Sequence, residues 1–392
     1  MSQEISTPAN STPASVTPSK FVKGLEGIVA AQTALSLVDG ENSRLLYRGV
    51  AIQELAANST FEEVVFFLWY GKFPTISELK DFKKQLAKNR KVSPEIISVI
   101  KKFPKKAHPM AVLRTVASML GLYDKQENKI DHDSLQEKAL RLTAIFPTVI
   151  AAFYRIRSGK KIIAPDAKLS HAADFLYMMH GKKPEKEMEK ALDTYLILLA
   201  DHGLNASTFS ARVTSSTQAD LYSAVTAAIG TLKGDLHGSA NQRAMEMILD
   251  IGSPDRVDSY INNLLDQKKK IMGFGHRIYK KEDPRATAFR AIAGKLCDIS
   301  GDKKWMEISN RVEKIIWEKK QIPCNVDFFS ASVLYILGFP IDFFTTVFAA
   351  SRVAGWTAHV IEQQLDNRLI RPAADYTGPY DQHYIPIEKR SN

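Results

Sequence analysis

The residues able to do chemistry gather in five short segments, all near or after residue 200. These are Ala200-Asp201-His202-Gly203-Leu204-Asn205-Ala206-Ser207-Thr208-Phe209, Leu236-His237-Gly238-Ser239-Ala240-Asn241, Gly273-Phe274-Gly275-His276-Arg277, Asn325-Val326-Asp327-Phe328, and Ser351-Arg352-Val353-Ala354-Gly355-Trp356 with His359. His237 stands beside Gly238, ahead of a helical run (Ala244, Met245, Ile248, Leu249). A helix N-terminus lowers an imidazole pKa, and a neutral imidazole can donate a hydrogen bond to a carbonyl without surrendering a full proton. The same position also suits a capping or core histidine. The glycines before His276 let backbone approach a ligand or take positive φ. With Tyr279-Lys280-Lys281 following, that segment reads either as an anion site or as a tight turn. Asp327 is flanked by Val326, Phe328 and Phe329. Apolar surroundings raise a carboxyl pKa, which suits a general base near neutral pH, and a helix N-cap is the alternative. Arg352, Trp356 and His359 fall at i, i+4 and i+7, on one helix face. An arginine fork there could hold a carboxylate, or its stem could pack on Trp356 at the surface. Arg285, in Asp283-Pro284-Arg285, and Arg371 complete the cationic set. His202, just before Gly203, suits either a site or a helix end.

Helices must position these groups. Ser59 or Thr60 followed by Glu62-Glu63 reads as a capped helix start, Thr75-Ile76-Ser77-Glu78 as a capping box, and Ser93-Pro94-Glu95 as an N-cap with proline in the first turn. The apolar period continues through Leu135, Ala139, Leu142 and Ile145, and through Met188, Leu192, Tyr195 and Leu199. One hairpin is expected at 35–47, around Asp39-Gly40. After residue 50 no run alternates as a strand does, and no internal repeat appears. The fold class is all-α with one small N-terminal hairpin. Residues 1–18, rich in Ser, Thr and Pro, are expected to be a disordered tail.

The bulk properties narrow the partners. With 45% apolar and 24% charged residues, the 392-residue chain is an ordinary globular protein of two or three domains at roughly 150 residues each. No segment approaches the roughly 18 apolar residues that span a bilayer, and no secretory signal opens the chain. Two cysteines, Cys297 and Cys324, do not make a disulfide scaffold, and no His/Cys spacing suits a metal. A cytoplasmic location and no membrane partner are expected. The net charge of +10 favours an acidic partner: nucleic acid, anionic lipid or a polyanionic metabolite. A nucleic-acid-binding or scaffold protein would show a basic stripe on one face, and the scattered Lys and Arg form none.

Taken together, the segments resemble the citrate synthase family. The resemblance begins at Gly24-Leu25-Glu26-Gly27 and Leu46-Tyr47-Arg48-Gly49, includes His108-Pro109-Met110, and ends at Arg371-Pro372-Ala373-Ala374-Asp375-Tyr376-Thr377-Gly378-Pro379. It implies a helical homodimer or higher homo-oligomer, with a small domain at 235–330 and a large domain built from 19–234 and 331–392. It implies condensation of acetyl-CoA with oxaloacetate, the CoA thioester being a substrate and no cofactor or metal being needed. A 2-methylcitrate synthase using propionyl-CoA is the alternative. By the same resemblance Asp327 is the base, His237 the donor to the thioester oxygen, and His276 the group polarising the oxaloacetate carbonyl. His202, Arg285 and Arg352 are oxaloacetate ligands, and Arg371 comes from the neighbouring subunit. Met272, Gly273, Phe274, Gly275, Arg277, Lys280 and Lys281 are the expected CoA contacts. The chain departs from the family pattern at Ser239 and Gln242, where Gly and Glu are usual, and at Phe329 and Ala331, where Tyr and Gly are usual. Ser239 would be strained only if its position required positive φ.

Overall fold

The computed structural model describes residues 21–390. The tail expected at 1–18 lies outside them. Residues 33–370 form one compact unit, and 21–32 with 371–390 belong to a second. The second unit carries two short turns of 3₁₀ helix, Lys23–Leu25 and Ile387–Lys389, and an edge-on ring pair, Tyr376 with Tyr380.

The hairpin forms where expected, as β1 (Ser36–Asp39) and β2 (Arg44–Tyr47). Register runs from Ser36 opposite Tyr47 to Asp39 opposite Arg44. A third strand, β3 (Val50–Ala51), adds to β2 and completes a three-stranded antiparallel sheet in the order β1-β2-β3. It joins β2 through Arg48 and Gly49, both at positive φ, as a two-residue primed turn requires. Two residues are too few to show alternation, so β3 leaves no periodic signal in the sequence.

The helix starts follow the capping residues. Thr60 accepts from the Glu63 N–H at the head of Phe61–Tyr70. Thr75 and Glu78 form a reciprocal capping box at Ile76–Lys88, and Ser93 caps Pro94–Lys102. Each such cap is worth about 1 kcal/mol.

One expectation needs correction. Helix His132–Arg157 has 26 residues and an 18-residue window of mean hydropathy 1.4, so by length and composition it could cross a membrane. Its apolar character has another cause: 83% of that window is buried inside the protein. A helix enclosed on several sides is apolar all round.

Two groups of helices position the candidate residues. Phe344–Leu365, buried along nearly its whole length, packs on His132–Arg157, Lys186–Leu199, Ala206–Ser216 and Leu221–Leu232. It brings Arg352, Trp356 and His359 to the segment after Leu199. Val326–Ile336, with Asp327 in its first turn, packs between Pro284–Ser300, which carries Arg285, and Ala240–Ile251, which follows the His237 turn.

Candidate active site

Helix Lys186–Leu199 stops at Ala200, and the chain turns through Asp201, His202 and Gly203. The turn is built against the Arg352 helix. A Cβ on Gly355 would lie 2.3 Å from the Ala200 carbonyl oxygen and 2.6 Å from Asp201 Oδ1, so only glycine admits this approach. Arg212 donates to His359 Nδ1 at 3.1 Å. A guanidinium has no acceptor, so Nδ1 accepts and His359 Nε2 carries the proton toward Asp201, 3.3 Å away. Asp201 Oδ2 in turn accepts from Gly203 N–H. The loop bearing His202 is thereby fixed from behind by a chain of charged and polar groups.

His202 shares a hydrogen bond of 3.2 Å with the Tyr279 hydroxyl, and its ring is 5.4 Å from that of His276. Burial, with Arg285 and Arg352 adding, drives its pKa well below the ordinary histidine value. His276 Nδ1 accepts from the backbone N–H groups of Ile278 (3.0 Å) and Tyr279 (3.1 Å). Burial lowers its pKa to about 4, so near neutrality the proton must sit on Nε2. The fold thus makes His276 a neutral Nε2–H donor. The Gly273–Gly275 pair before it has structural reasons as well. Both take positive φ, and a Cβ at 273 would lie 2.8 Å from Phe328 Cβ. Gly275 N–H donates to Pro323 O, Asn325 N–H to Gly273 O, and Asn325 Nδ2 to Gly275 O, each at 2.9 Å. These bonds tie the His276 loop to the segment that leads into Asp327.

His237 lies in a turn before helix Ala240–Ile251, not within its first turn; the N-cap is Ser239. Its pKa is lowered to about 4 by burial first and by Arg352 second, so the helix dipole expected from the sequence is not the principal cause. The Ser207 backbone N–H points at His237 Nε2 (3.3 Å), and Ser207 Oγ is 2.7 Å from it. A backbone N–H can only donate, so Nε2 is an acceptor and the proton is left on Nδ1. Trp356 Nε1 donates to the same Ser207 hydroxyl at 3.1 Å. Gly238 is a glycine because a Cβ would lie 2.3 Å from the Leu232 carbonyl oxygen. Ser239 has φ of −92°, so its side chain brings no strain.

Asp327 is not the N-cap. Asn325 caps helix Val326–Ile336 and accepts from the Asp327 N–H at 3.0 Å. Burial raises the Asp327 carboxyl to about 7, while Arg285 and Arg352 pull it down and Asp283 pushes it up. Arg285 is 2% exposed and forms a bidentate pair with Asp283: Nε to Oδ1 at 2.9 Å and Nη2 to Oδ2 at 2.8 Å. Burial opposes the charge of Arg285, but Asp283 more than offsets it. Asp283 also accepts from the Val326 N–H at 3.2 Å, joining Arg285 to the start of the Asp327 helix. Arg352, 1% exposed, donates Nε–H to Leu199 O at 2.7 Å and lies over the Phe348 ring. Its Nη2 is buried with no protein partner among the described residues. The surface-arginine alternative is therefore excluded, and a buried donor of this kind is what a bound anion would satisfy.

The charge of Arg352 acts on His202, His237 and Asp327 alike, and that of Arg285 on His202, His276 and Asp327. These six predicted residues are thus gathered into one site. Arg277, Lys280 and Lys281 are exposed, Met272 is half-buried, and Phe274 is buried against Phe328. Arg371 belongs to the unit of 21–32 and 371–390. Sequence reasoning assigned no role to Ser207, Tyr279, Asp283 or the Asp201–His359 pair. Asp283 had a local signal, an acid before proline two residues ahead of Arg285; the others depend on contacts between distant segments.

A site in a helical fold with neutral imidazole donors, buried guanidinium groups and a carboxyl poised near neutrality defines an enzyme suited to proton removal beside a carbonyl of an anionic substrate. Residues 24–373 match the family described as citrate synthase, C-terminal domain. Citrate synthase of Haloferax volcanii is 46% identical over 373 residues, covering 94% of this chain and 98% of the relative. 2-Methylcitrate synthase 2 of Corynebacterium glutamicum is 41% identical over 381 residues, covering 96% and 100%. Among solved structures, citrate synthase of Thermotoga maritima aligns with a TM-score of 0.85 at 44% identity, covering 94% of this chain and 99% of that one. The ternary complex of citrate synthase from Thermoplasma acidophilum with carboxymethyl coenzyme A and oxaloacetate aligns with a TM-score of 0.90 at 35% identity, covering 95% of this chain and 100% of that one. The chain belongs to the citrate synthase family.

Proposed function

We propose that the protein condenses acetyl-CoA with oxaloacetate and water to give citrate and CoA. The observation that carries this reading is the arrangement of Asp327, with its carboxyl raised to about 7, among two imidazoles whose backbone contacts leave each a single N–H to donate. Ionised Asp327 takes a proton from the thioester methyl group. A carboxylate alone is far too weak a base for that carbon, so the enolate must be stabilised as it forms. His237 Nδ1–H supplies a hydrogen bond to the thioester oxygen, worth about 3 kcal/mol in the transition state. The enolate carbon then attacks the oxaloacetate ketone carbon, and His276 Nε2–H polarises and protonates the ketone oxygen. Water hydrolyses the resulting citryl thioester, the C–S bond breaks, and CoA leaves as the thiol.

Arg285, Arg352 and His202 hold the oxaloacetate carboxylates. The buried Nη2 of Arg352, unpartnered among the described residues, supports this role. Exposed Arg277, Lys280 and Lys281 meet CoA phosphates, with Met272, Gly273, Phe274 and Gly275 forming the backbone wall. The small domain is 235–330, and its closure on 19–234 and 331–392 excludes water. Arg371 reaches the site of a second subunit in a homodimer. The exposed Phe21, Val29, Tyr380 and Tyr384 on its unit support coverage by another chain. The reaction is cytoplasmic, with small-molecule substrates and neither nucleic acid nor membrane as partner.

A second substrate reading, propionyl-CoA, is favoured by the 2-methylcitrate synthases among relatives of 40–42% identity. One methylene changes pocket binding by only about 1–3 kcal/mol. Steady-state release of free thiol with oxaloacetate present, compared for the two acyl-CoAs, tests both. A higher kcat/KM for propionyl-CoA replaces the first reading with the second. Release with neither removes both.

A further inference from the structure

Two loops distant in sequence carry imidazoles assigned above to oxaloacetate: 200–203 with His202 and 276–282 with His276. Their rings meet at 5.4 Å. One small element touches both loops. At the paired end of the hairpin, Ser36 Oγ donates to Asp201 Oδ2 at 2.5 Å and accepts from Gly203 N–H at 2.9 Å. Opposite it in register, the Tyr47 hydroxyl donates to Asp201 O at 2.8 Å and accepts from Asp201 N–H at 3.0 Å. At the turn end, Ser43 Oγ accepts from Glu282 N–H at 3.2 Å, and Gly40 O accepts from Lys280 N–H at 3.4 Å.

Gly40 is the informative residue. It does not take positive φ, so the turn itself does not require glycine. A Cβ there would instead lie 2.2 Å from the Ile278 carbonyl oxygen and 2.7 Å from the carbonyl carbon. Backbone of the His276 loop occupies the space of the missing side chain, and backbone cannot rotate aside as a side-chain end can. Ile278 and Tyr279 are also the residues whose N–H groups orient His276 Nδ1, and Tyr279 is the residue bonded to His202. A displacement of Ile278 is therefore passed to both imidazoles.

We infer that the β1–β2 hairpin is a positioning element of the active site, spacing the His202 loop from the His276 loop, with Gly40 and Ser43 setting the His276 end. The inference rests on the proposed role of these imidazoles toward oxaloacetate. Neither Gly40 nor Ser43 touches substrate in this reading.

The test uses Gly40→Ala and the milder Ser43→Ala, which removes an acceptor without adding bulk. Thiol release gives KM for each substrate and kcat; calorimetric titration with oxaloacetate alone gives Kd without turnover; circular dichroism and thermal unfolding report the fold. Gly40→Ala is expected to raise KM and Kd for oxaloacetate about tenfold and to lower kcat, with KM for the acyl-CoA changed less than about threefold. Ser43→Ala is expected to move oxaloacetate in the same direction by about two- to fivefold. A merely structural role would lower thermal stability and leave the oxaloacetate constants of the folded fraction unchanged. The inference is overturned by oxaloacetate constants within about twofold of wild type in both variants. It is also overturned if Gly40→Ala fails to fold while Ser43→Ala behaves as wild type. A wild-type protein that binds oxaloacetate but releases no CoA overturns the functional reading, while the Kd differences still decide this inference.

Discussion

Replacing Asp327 by Asn removes the proposed base and keeps its shape, and the consequence for stability can be worked from the structure. The Asp327 carboxyl is raised from an ordinary 3.8 to about 7 by burial. Below pH 4 it is protonated in both folded and unfolded chains and contributes no difference. Between pH 4 and 7 the unfolded chain releases the proton while the folded chain retains it, so the wild type loses stability as pH rises. The loss approaches 1.4 kcal/mol per pH unit and totals at most about 4 kcal/mol. Asparagine never ionises and escapes this loss. Denaturant unfolding of both proteins from pH 4 to 8 is expected to show the variant gaining on the wild type up to pH 7, with parallel behaviour above. Thiol release by the same variant should fall by about a thousandfold. Stability curves that stay parallel across pH 4–7 would refute the argument that burial holds this proton, whatever the activity does.

The same pKa sets the rate profile: kcat/KM should rise about tenfold per pH unit below 7 and flatten above it, with no further limb near neutrality from His237 or His276, whose values lie near 4. Asp283→Asn leaves buried Arg285 without its charge partner and should cost about 3–5 kcal/mol in unfolding free energy while weakening oxaloacetate binding in calorimetry. Arg352→Met keeps the stem and removes the buried donor, and oxaloacetate Kd should rise about a hundredfold with little change in melting temperature. Gly355→Ala forces a methyl group against the Ala200 carbonyl and Asp201. Differential scanning calorimetry should show a loss of about 1–3 kcal/mol, and KM for oxaloacetate should rise as the His202 loop moves.

What could be read from the sequence follows the range of the forces involved. Caps at Thr60, Thr75 and Ser93 act within four residues, so their residues announce them. The pair Asp39-Gly40 marked the hairpin, but the reason for glycine at 40 lies in Ile278 and could not be read from either segment alone. Likewise Asp327 could be recognised as an acid in apolar company, whereas the choice between base and N-cap depended on Asn325 taking the capping position. His237 shows how a correct expectation can have another cause. A low pKa was foreseen from a helix end, but the helix begins at Ala240, and burial with Arg352 from a chain segment more than a hundred residues away produces the shift.

That long-range origin has a chemical consequence. A neutral imidazole has one proton and two nitrogens, and a free side chain would distribute it between them. At His276 the Ile278 and Tyr279 amides occupy Nδ1, and at His237 the Ser207 amide occupies Nε2. Backbone N–H groups cannot exchange donor for acceptor, unlike hydroxyls or water. The tautomer of each histidine is therefore fixed before substrate arrives, and the two remaining protons lie on different ring atoms, Nε2 in one and Nδ1 in the other. In the proposed reaction two carbonyl oxygens, one on each substrate, each meet a donor that needs no rearrangement as charge develops. Ser207 places Trp356 of the Arg352 helix on the same hydroxyl that faces His237, so the helix carrying Arg352 also steadies His237.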